Sequence, residues 1–131
     1  MKIFSTPIQV RFSDTDMLTH VNNSSYNQFF DIGRYECLTK TFGDLNNWKE
    51  KMLVVVHIET DYLKPVYIET KISVETQITE VGNKSLKMHQ QIVNDKGEIM
   101  VKSMSVMSAF DVSTGQSFII PDEWRNRVKK C

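Results

Sequence analysis

Asp14, Asp16, His20, Asn22 and Asn23 fall within ten residues of one another, and Ser24, Ser25 and Tyr26 follow directly. This polar loop runs into the only long helical pattern in the chain. The N–H groups that open a helix present about half a positive charge, which stabilises an oxyanion forming on a carbonyl. A nearby carboxylate can attack that carbonyl or activate a water. Together these groups suit hydrolysis of an activated acyl group such as a thioester. The competing reading is structural, a carboxylate that caps a turn or the helix. The residue types alone leave both readings open.

Other chemistries lack their motifs. There is no G-x-S-x-G elbow for a serine hydrolase. The phosphate-cradling G-x-x-x-x-G-K-[ST] loop, the dinucleotide G-x-G-x-x-G and the metalloprotease H-E-x-x-H are also missing. Asp14-Thr15-Asp16 matches the D-x-D of aspartyl-phosphate phosphatases, but the chain lacks their alternating β–α pattern and length. His20, His57 and His89 fall on three different elements without ligand spacing, so no metal is expected. Basic and acidic residues balance, 16 against 16, which argues against a nucleic-acid partner. The basic residues near the C-terminus, Arg125, Arg127, Lys129 and Lys130, read as a solvated helix end. No apolar run is long enough for a signal peptide or a membrane span. The two cysteines, Cys37 and Cys131, show no paired spacing and fit a reducing cytoplasm.

The 131 residues are expected to form a single domain, 1–131. Ile8, Val10 and Phe12 alternate with polar residues, which predicts a first strand opened by Pro7. Ser25-x-x-Gln28 reads as a capping box, with Asn22 or Asn23 as alternative caps. Tyr26, Phe29, Phe30, Gly33, Cys37, Leu38 and Phe42 recur at helical spacing, and Gly43 reads as a left-handed stop. Gly33 within that face points to close packing against another backbone. Asp44 to Lys51 is polar and suits a short helical turn or a flap.

Beyond Leu53 the period changes to two. Val54, Val56, Ile58, Thr60 and Tyr62 are expected on one strand face, with His57, Glu59 and Asp61 on the other. A break at Lys64-Pro65 precedes a strand from Val66 to Ile78. Leu86, Met88 and Ile92 mark the next strand, and Ile99 to Val112 forms a long Met-rich one. Pro121 opens a short final helix. An antiparallel sheet with one apolar face must curl over the single long helix to bury it. The expected class is therefore α+β, a long central helix wrapped by a curved antiparallel sheet of about five strands.

Arg11-Phe12-Ser13-Asp14-Thr15-Asp16-Met17-Leu18-Thr19-His20-Val21-Asn22-Asn23-Ser24-Ser25-Tyr26, followed by Phe29-Phe30-Asp31-x-x-Arg34, resembles the signature of hotdog-fold acyl-CoA thioesterases of the hydroxybenzoyl-CoA thioesterase type. Asp61-Tyr62-Leu63-Lys64-Pro65-Val66 is similar to that family's second strand and bend, and Gly82-Asn83-Lys84-Ser85 to a later hairpin. The resemblance implies a hotdog fold and hydrolysis of an acyl-CoA thioester. It assigns the catalytic carboxylate to Asp16, as nucleophile or general base, and leaves Asp14 a structural role. By the same resemblance His20, Val21, Asn22 and Asn23 line the acyl pocket. Asn23 would orient water or thioester, or else cap the helix, and Tyr26 would form a pocket wall or simply belong to the core. Lys84 and Ser85 fall where the family meets the coenzyme A phosphates. The chain departs from the family pattern at Thr19, where glycine is common.

The resemblance also implies a homodimer or homotetramer with shared active sites, in which His57, Glu59 or Tyr62 faces a partner's Asp16. It implies no cofactor. Two other readings share the fold. One is a non-catalytic module that binds acyl-CoA or acyl-carrier protein. The other is a dehydratase or hydratase, which would need a histidine with a carboxylate on the helix. Here the helix offers Asp31 and Glu36 but no histidine. Phe29, Phe30, Met100, Met104 and Met107 would shape a flexible apolar pocket or simply fill the core.

Overall fold

The computed structural model describes residues 1–17, 19–43 and 50–130. The strands are β1 (Ile3–Ile8), β2 (Lys51–Tyr62), β3 (Ile72–Val81), β4 (Ser85–Asn94), β5 (Ile99–Asp111) and β6 (Gln116–Ser117). The helices are α1 (Asn23–Phe42) and α2 (Asp122–Lys130). All strand pairs are antiparallel, in the order β1-β3-β4-β5-β2, with short β6 on β5. The sheet thus has six strands, wrapped on α1 as the alternation required. Most of Asp44 to Lys51, expected as a turn or flap, lies outside the described residues, as do Leu18 and Cys131. Among the described residues no helix is long and apolar enough to cross a membrane.

The apolar face of α1 is buried along its length, and it divides the core. Tyr26, Phe29 and Phe30 pack with Val66, Val74, Ile92 and Val101 at the N-terminal half. Cys37, Leu38 and Phe42 pack with Met88, Met107, Trp124 and Val128 at the other. Met100 and Met107 are core residues, whereas Met104 is only half-buried. Between the two clusters sits a polar layer. Gln90 Nε2 donates to the Phe30 carbonyl (2.9 Å) and to Thr76 Oγ1 (3.0 Å). Gln90 Oε1 accepts from Arg34 Nη1 at 2.9 Å. This layer lies beneath Gly33, where an added Cβ would come within 2.7 Å of Thr76 Oγ1 and Val74 Cγ1. The close approach inferred for Gly33 is real, but the neighbours are side chains of the sheet rather than backbone.

Several boundaries differ from the sequence reading. The first strand is Ile3–Ile8, with Phe4 and Thr6 buried, and Pro7 lies inside it opposite Ser73. Because β1 is an edge strand, the missing N–H is tolerated there. Phe12, expected inward, is 80% exposed on a 3-10 turn, Phe12–Asp14. The strand expected from Val66 begins only at Ile72. Residues before it turn instead, with Thr70 N donating to Tyr67 O and Tyr67 N to Thr70 Oγ1. Gly43 ends α1 at φ 12°, outside the left-handed region.

A bulge changes the faces of β2. The register shifts between Val55 and His57, so Val56 has no cross-strand partner. Leu53 and Val55 lie opposite the buried Ala109 and Met107, while Val54 moves to the His57 side.

Gly33→Ala is expected to destabilise the fold by about 1–3 kcal/mol through overpacking. This outweighs the roughly 0.5–1 kcal/mol that alanine adds to a helix interior. Urea midpoints check it, and a raised midpoint would mean that Thr76 and Gln90 step aside.

Candidate active site

The loop between β1 and α1 is built from its two ends inward. Asp14 is 1% exposed and works as an anchor. Its Oδ2 accepts Arg11 N at 2.8 Å, and its Oδ1 accepts Arg11 Nη2 at 3.1 Å. Burial pushes the Asp14 carboxyl up, but hydrogen bonds from the Arg11 side chain and backbone and from the Ser25 hydroxyl outweigh it and hold the carboxyl below the usual range. The Asp14 carbonyl accepts Asn22 N at 2.9 Å, which ties this anchor to the start of α1.

From there the chain closes into a small hairpin. Thr15 pairs with Val21, Asp16 N donates to His20 O, and Thr19 N donates to Asp16 O, the last two at 3.0 Å. The hairpin is docked on the segment after β2. Val21 N donates to Val66 O at 2.8 Å, and His20 pairs with Tyr67, their rings meeting edge-on at 5.6 Å. Thr19 has φ 65°, the left-handed region that glycine enters freely. The turn therefore keeps a glycine-like shape with a β-branched residue in it, at a cost of about 1–2 kcal/mol.

Asp16 stands at the hairpin tip with its side chain 47% exposed and its Oδ1 3.9 Å from His20 Nδ1. The helix start beside it is capped by Asn22, not by Ser25 and Gln28. Asn22 Oδ1 accepts Ser25 N at 3.0 Å and Ser24 Oγ at 2.7 Å. With the Ser25 N–H taken, Asn23 and Ser24 contribute the opening N–H groups that have no partner within the helix.

An open cleft of about 220 Å³ lies at this end of α1. His20, Val21, Asn23 and Tyr26 form its helix-side wall. The facing wall is the end of β2 and its bend, Tyr62, Leu63, Lys64 and Pro65. Tyr26 is buried, its Oη accepting Val66 N at 3.3 Å, and burial pushes its phenol up. Its ring lies 5.4 Å from that of Tyr62.

Four of the expected site residues thus meet in one cleft, His20, Val21, Asn23 and Tyr26. Asp16 adjoins it through His20 but is not among the side chains that line it. Asn22, expected in the pocket wall, caps the helix instead. His57 stands on the sheet face away from α1 and pairs with Glu59 at 2.9 Å. Lys84 and Ser85 lie at the opposite end of the sheet. Ser85 faces Ser108 on β5 while Tyr62 faces Val101, a separation of roughly 23 Å along the strand. Leu63, Lys64 and Pro65 escaped the sequence reading as site residues; their signals were the Lys64-Pro65 break and the likeness of Asp61 to Val66 to the family's bend. Among the described residues no cluster is suited to a metal.

Asp14→Asn is expected to cost about 1.5 kcal/mol at neutral pH, the low end for charged hydrogen bonds because Arg11 is well exposed. Because the folded carboxyl sits below its ordinary value, its contribution is complete above the usual carboxylate range. It is lost as pH falls through the lower folded value. Denaturation from pH 7 down to pH 2 checks this, with a shallower acid loss expected for the variant.

Comparison with known proteins extends these observations. The profile of the Thioesterase-like superfamily matches residues 10–128. The long-chain acyl-CoA thioesterase FadM of Escherichia coli is 24% identical over 129 residues, covering 95% of this chain and 96% of that one. A structure described as a predicted thioesterase from Bacillus stearothermophilus superposes with TM-score 0.87 at 31% identity, over 98% of this chain and 96% of that one. A Thermus thermophilus thioesterase solved with coenzyme A and zinc gives TM-score 0.84 at 26% identity, over 95% and 96%.

Proposed function

The chain belongs to the thioesterase-like superfamily and is a thioester hydrolase with the hotdog fold, and we propose that it hydrolyses acyl-CoA through Asp16 and the N-terminus of α1. The observation that carries this reading is the hairpin itself. It registers Asp16 against the helix start through the Thr15–Val21 pair and the bond from Asn22 N to Asp14 O.

The thioester carbonyl oxygen points at the N–H groups of Asn23 and Ser24, where the helix favours negative charge. Asp16 then acts by one of two balanced routes. As base, it takes a proton from a water that attacks the carbonyl carbon. As nucleophile, it attacks directly and forms a mixed anhydride that water cleaves. In both, the C–S bond breaks and the electron pair leaves with sulfur. A thiol with a pKa of about 8.5 departs readily as thiolate. The Asp16 side chain is 47% exposed at the tip, where water or substrate can reach it, whereas Asp14 is buried and engaged in holding the loop. Asn23 lines the cleft beside the carbonyl and orients the water or thioester.

The enzyme is proposed to act as a homodimer or a homotetramer with shared sites, in the cytoplasm. Strand β2 is an open edge, and Val55, Val56 and Ile58 on it are 38%, 60% and 40% exposed. Such an edge invites pairing with a second copy. The separation within one chain means that Lys84 and Ser85 would reach coenzyme A phosphates only at a neighbouring subunit's cleft. His57, facing away from α1, would likewise serve a neighbour.

A second reading is a non-catalytic module binding acyl-CoA or acyl-carrier protein. What favours it is that Asp16 lies outside the side chains lining the cleft. Asp16→Asn separates the two readings. Thiol release should fall about 10²–10⁴-fold, as for loss of a general base, with saturable binding retained. Equal thiol release by both proteins would sink the role of Asp16, and saturable binding without release by either would favour the module. Val56→Lys tests the edge: sedimentation should show a shift toward monomer, and unchanged assembly would place the interface elsewhere.

A further inference from the structure

Resting on the reading of an acyl-CoA hydrolase, we infer that His20 is a catalytic residue: its imidazole takes the proton of the attacking water, and Asp16 orients that imidazole and offsets the charge it gains. A division of labour between the two side chains carries this. His20 lines the cleft together with Val21 and Asn23, whereas Asp16 is not among the lining side chains. The two are nevertheless joined. Asp16 Oδ1 stands 3.9 Å from His20 Nδ1, and the His20 carbonyl accepts Asp16 N at 3.0 Å. His20 is also held from behind, where it pairs with Tyr67 and meets that ring edge-on at 5.6 Å. The imidazole thus has one side packed, one side toward Asp16 and a part in the cleft.

A carboxylate beside Nδ1 keeps the proton on that nitrogen and leaves the Nε2 lone pair for the cleft. Separations such as 3.9 Å are common before substrate binds and tighten in the complex. The order carboxylate, imidazole, water is that of a hydrolytic triad with water in place of its serine. Nε2 takes a proton from water as the water oxygen bonds to the carbonyl carbon, and the oxyanion forms at the N–H groups of Asn23 and Ser24. The C–S bond then breaks with its electron pair on sulfur, and the imidazolium gives its proton to the thiolate. The acid product loses its own proton to solvent. Asp16 therefore follows the base route, and works on water through His20. The titratable and charged groups around His20 are Asp16 on its own hairpin, Tyr67 behind it, Tyr26 on α1, and Tyr62 and Lys64 across the cleft. Lys64 is itself paired with Glu98.

The test is the pH profile of kcat/KM for thiol release by the full-length protein, on an acyl-CoA that the wild type hydrolyses. The imidazole must be neutral to accept a proton. Activity should therefore fall about tenfold per pH unit below the range where histidines titrate, about pH 6.5. A carboxylate acting on water directly would sustain activity down to about pH 4. Circular dichroism over the same range separates this limb from acid unfolding. His20→Gln should lower kcat by about 10²–10⁴-fold and remove the limb. A folded His20→Gln with wild-type kcat would overturn the inference, as would a wild-type profile that stays flat to about pH 4. The wild-type profile decides the matter if His20→Gln does not fold. A single turnover in ¹⁸O-labelled water, with enzyme in excess, should give labelled acid; unlabelled acid would mean direct attack by Asp16 and overturn the base route. No thiol release from any acyl-CoA would overturn the hydrolase reading itself, whereas release with a carboxylate-range limb overturns only the role of His20.

Discussion

The close approach of α1 to the sheet at Gly33 is the constraint on which the rest of the structure depends. The helix is held there by Gln90, which bonds the Phe30 carbonyl, Thr76 and Arg34 at once. A buried amide of this kind is stabilising only when its donors and acceptor are satisfied, and costly otherwise. It therefore fixes the rotation and height of α1 more sharply than apolar contacts do. Hydrophobic packing is non-directional, and either apolar cluster alone would tolerate a small slide of the helix. The polar layer between them removes that freedom.

This fixed height decides where the N-terminus of α1 emerges beside the cleft. The loop before it is tied to the same frame by Asp14, which spends its carboxylate on Arg11 and Ser25 and its carbonyl on Asn22. Docking on Val66 and Tyr67 adds a second attachment, from the other side of the cleft. Thr19 in the left-handed region is the local penalty for turning the chain so tightly at Asp16. A strained turn persists when its surroundings over-determine it, and here both ends of the hairpin are bound within two residues of the tip.

The sequence was most legible where one physical requirement acted alone. Tyr26, Phe29, Phe30, Cys37, Leu38 and Phe42 are all buried, because a helix on a sheet has only one way to hide that stripe. The hotdog fold and the thioesterase family followed from element order and the loop signature. Legibility failed where backbone bonding had alternatives. Asn22 outcompeted Ser25 as the cap, since either side chain can supply the acceptor and only the path of the preceding loop chooses. Val66 reads as a strand residue because it is apolar and alternates correctly. It is instead buried beneath the loop that precedes α1, with its carbonyl given to Val21 rather than to a neighbouring strand. Likewise Gln90 falls on the apolar face with Leu86, Met88 and Ile92, and nothing in the sequence says what its amide serves until the helix carbonyl that it bonds is in place.

The bulge at Val56 shows how one backbone irregularity links the core to the site. In a regular strand, side chains alternate faces, so Leu53 and Tyr62, an odd number of residues apart, would point to opposite sides. The extra residue reverses the parity. Leu53 then packs into the core opposite Ala109, and Tyr62 also faces inward, opposite Val101, where it meets Tyr26. Without the bulge, satisfying the core at Leu53 would turn Tyr62 outward and bring Asp61 to the cleft. A carboxylate there would place a second negative charge in the cleft, opposite the wall formed by His20, Val21 and Asn23. The same irregularity leaves Val56 without a cross-strand partner and 60% exposed on the edge strand, so one backbone feature shapes both the cleft wall and the sheet edge.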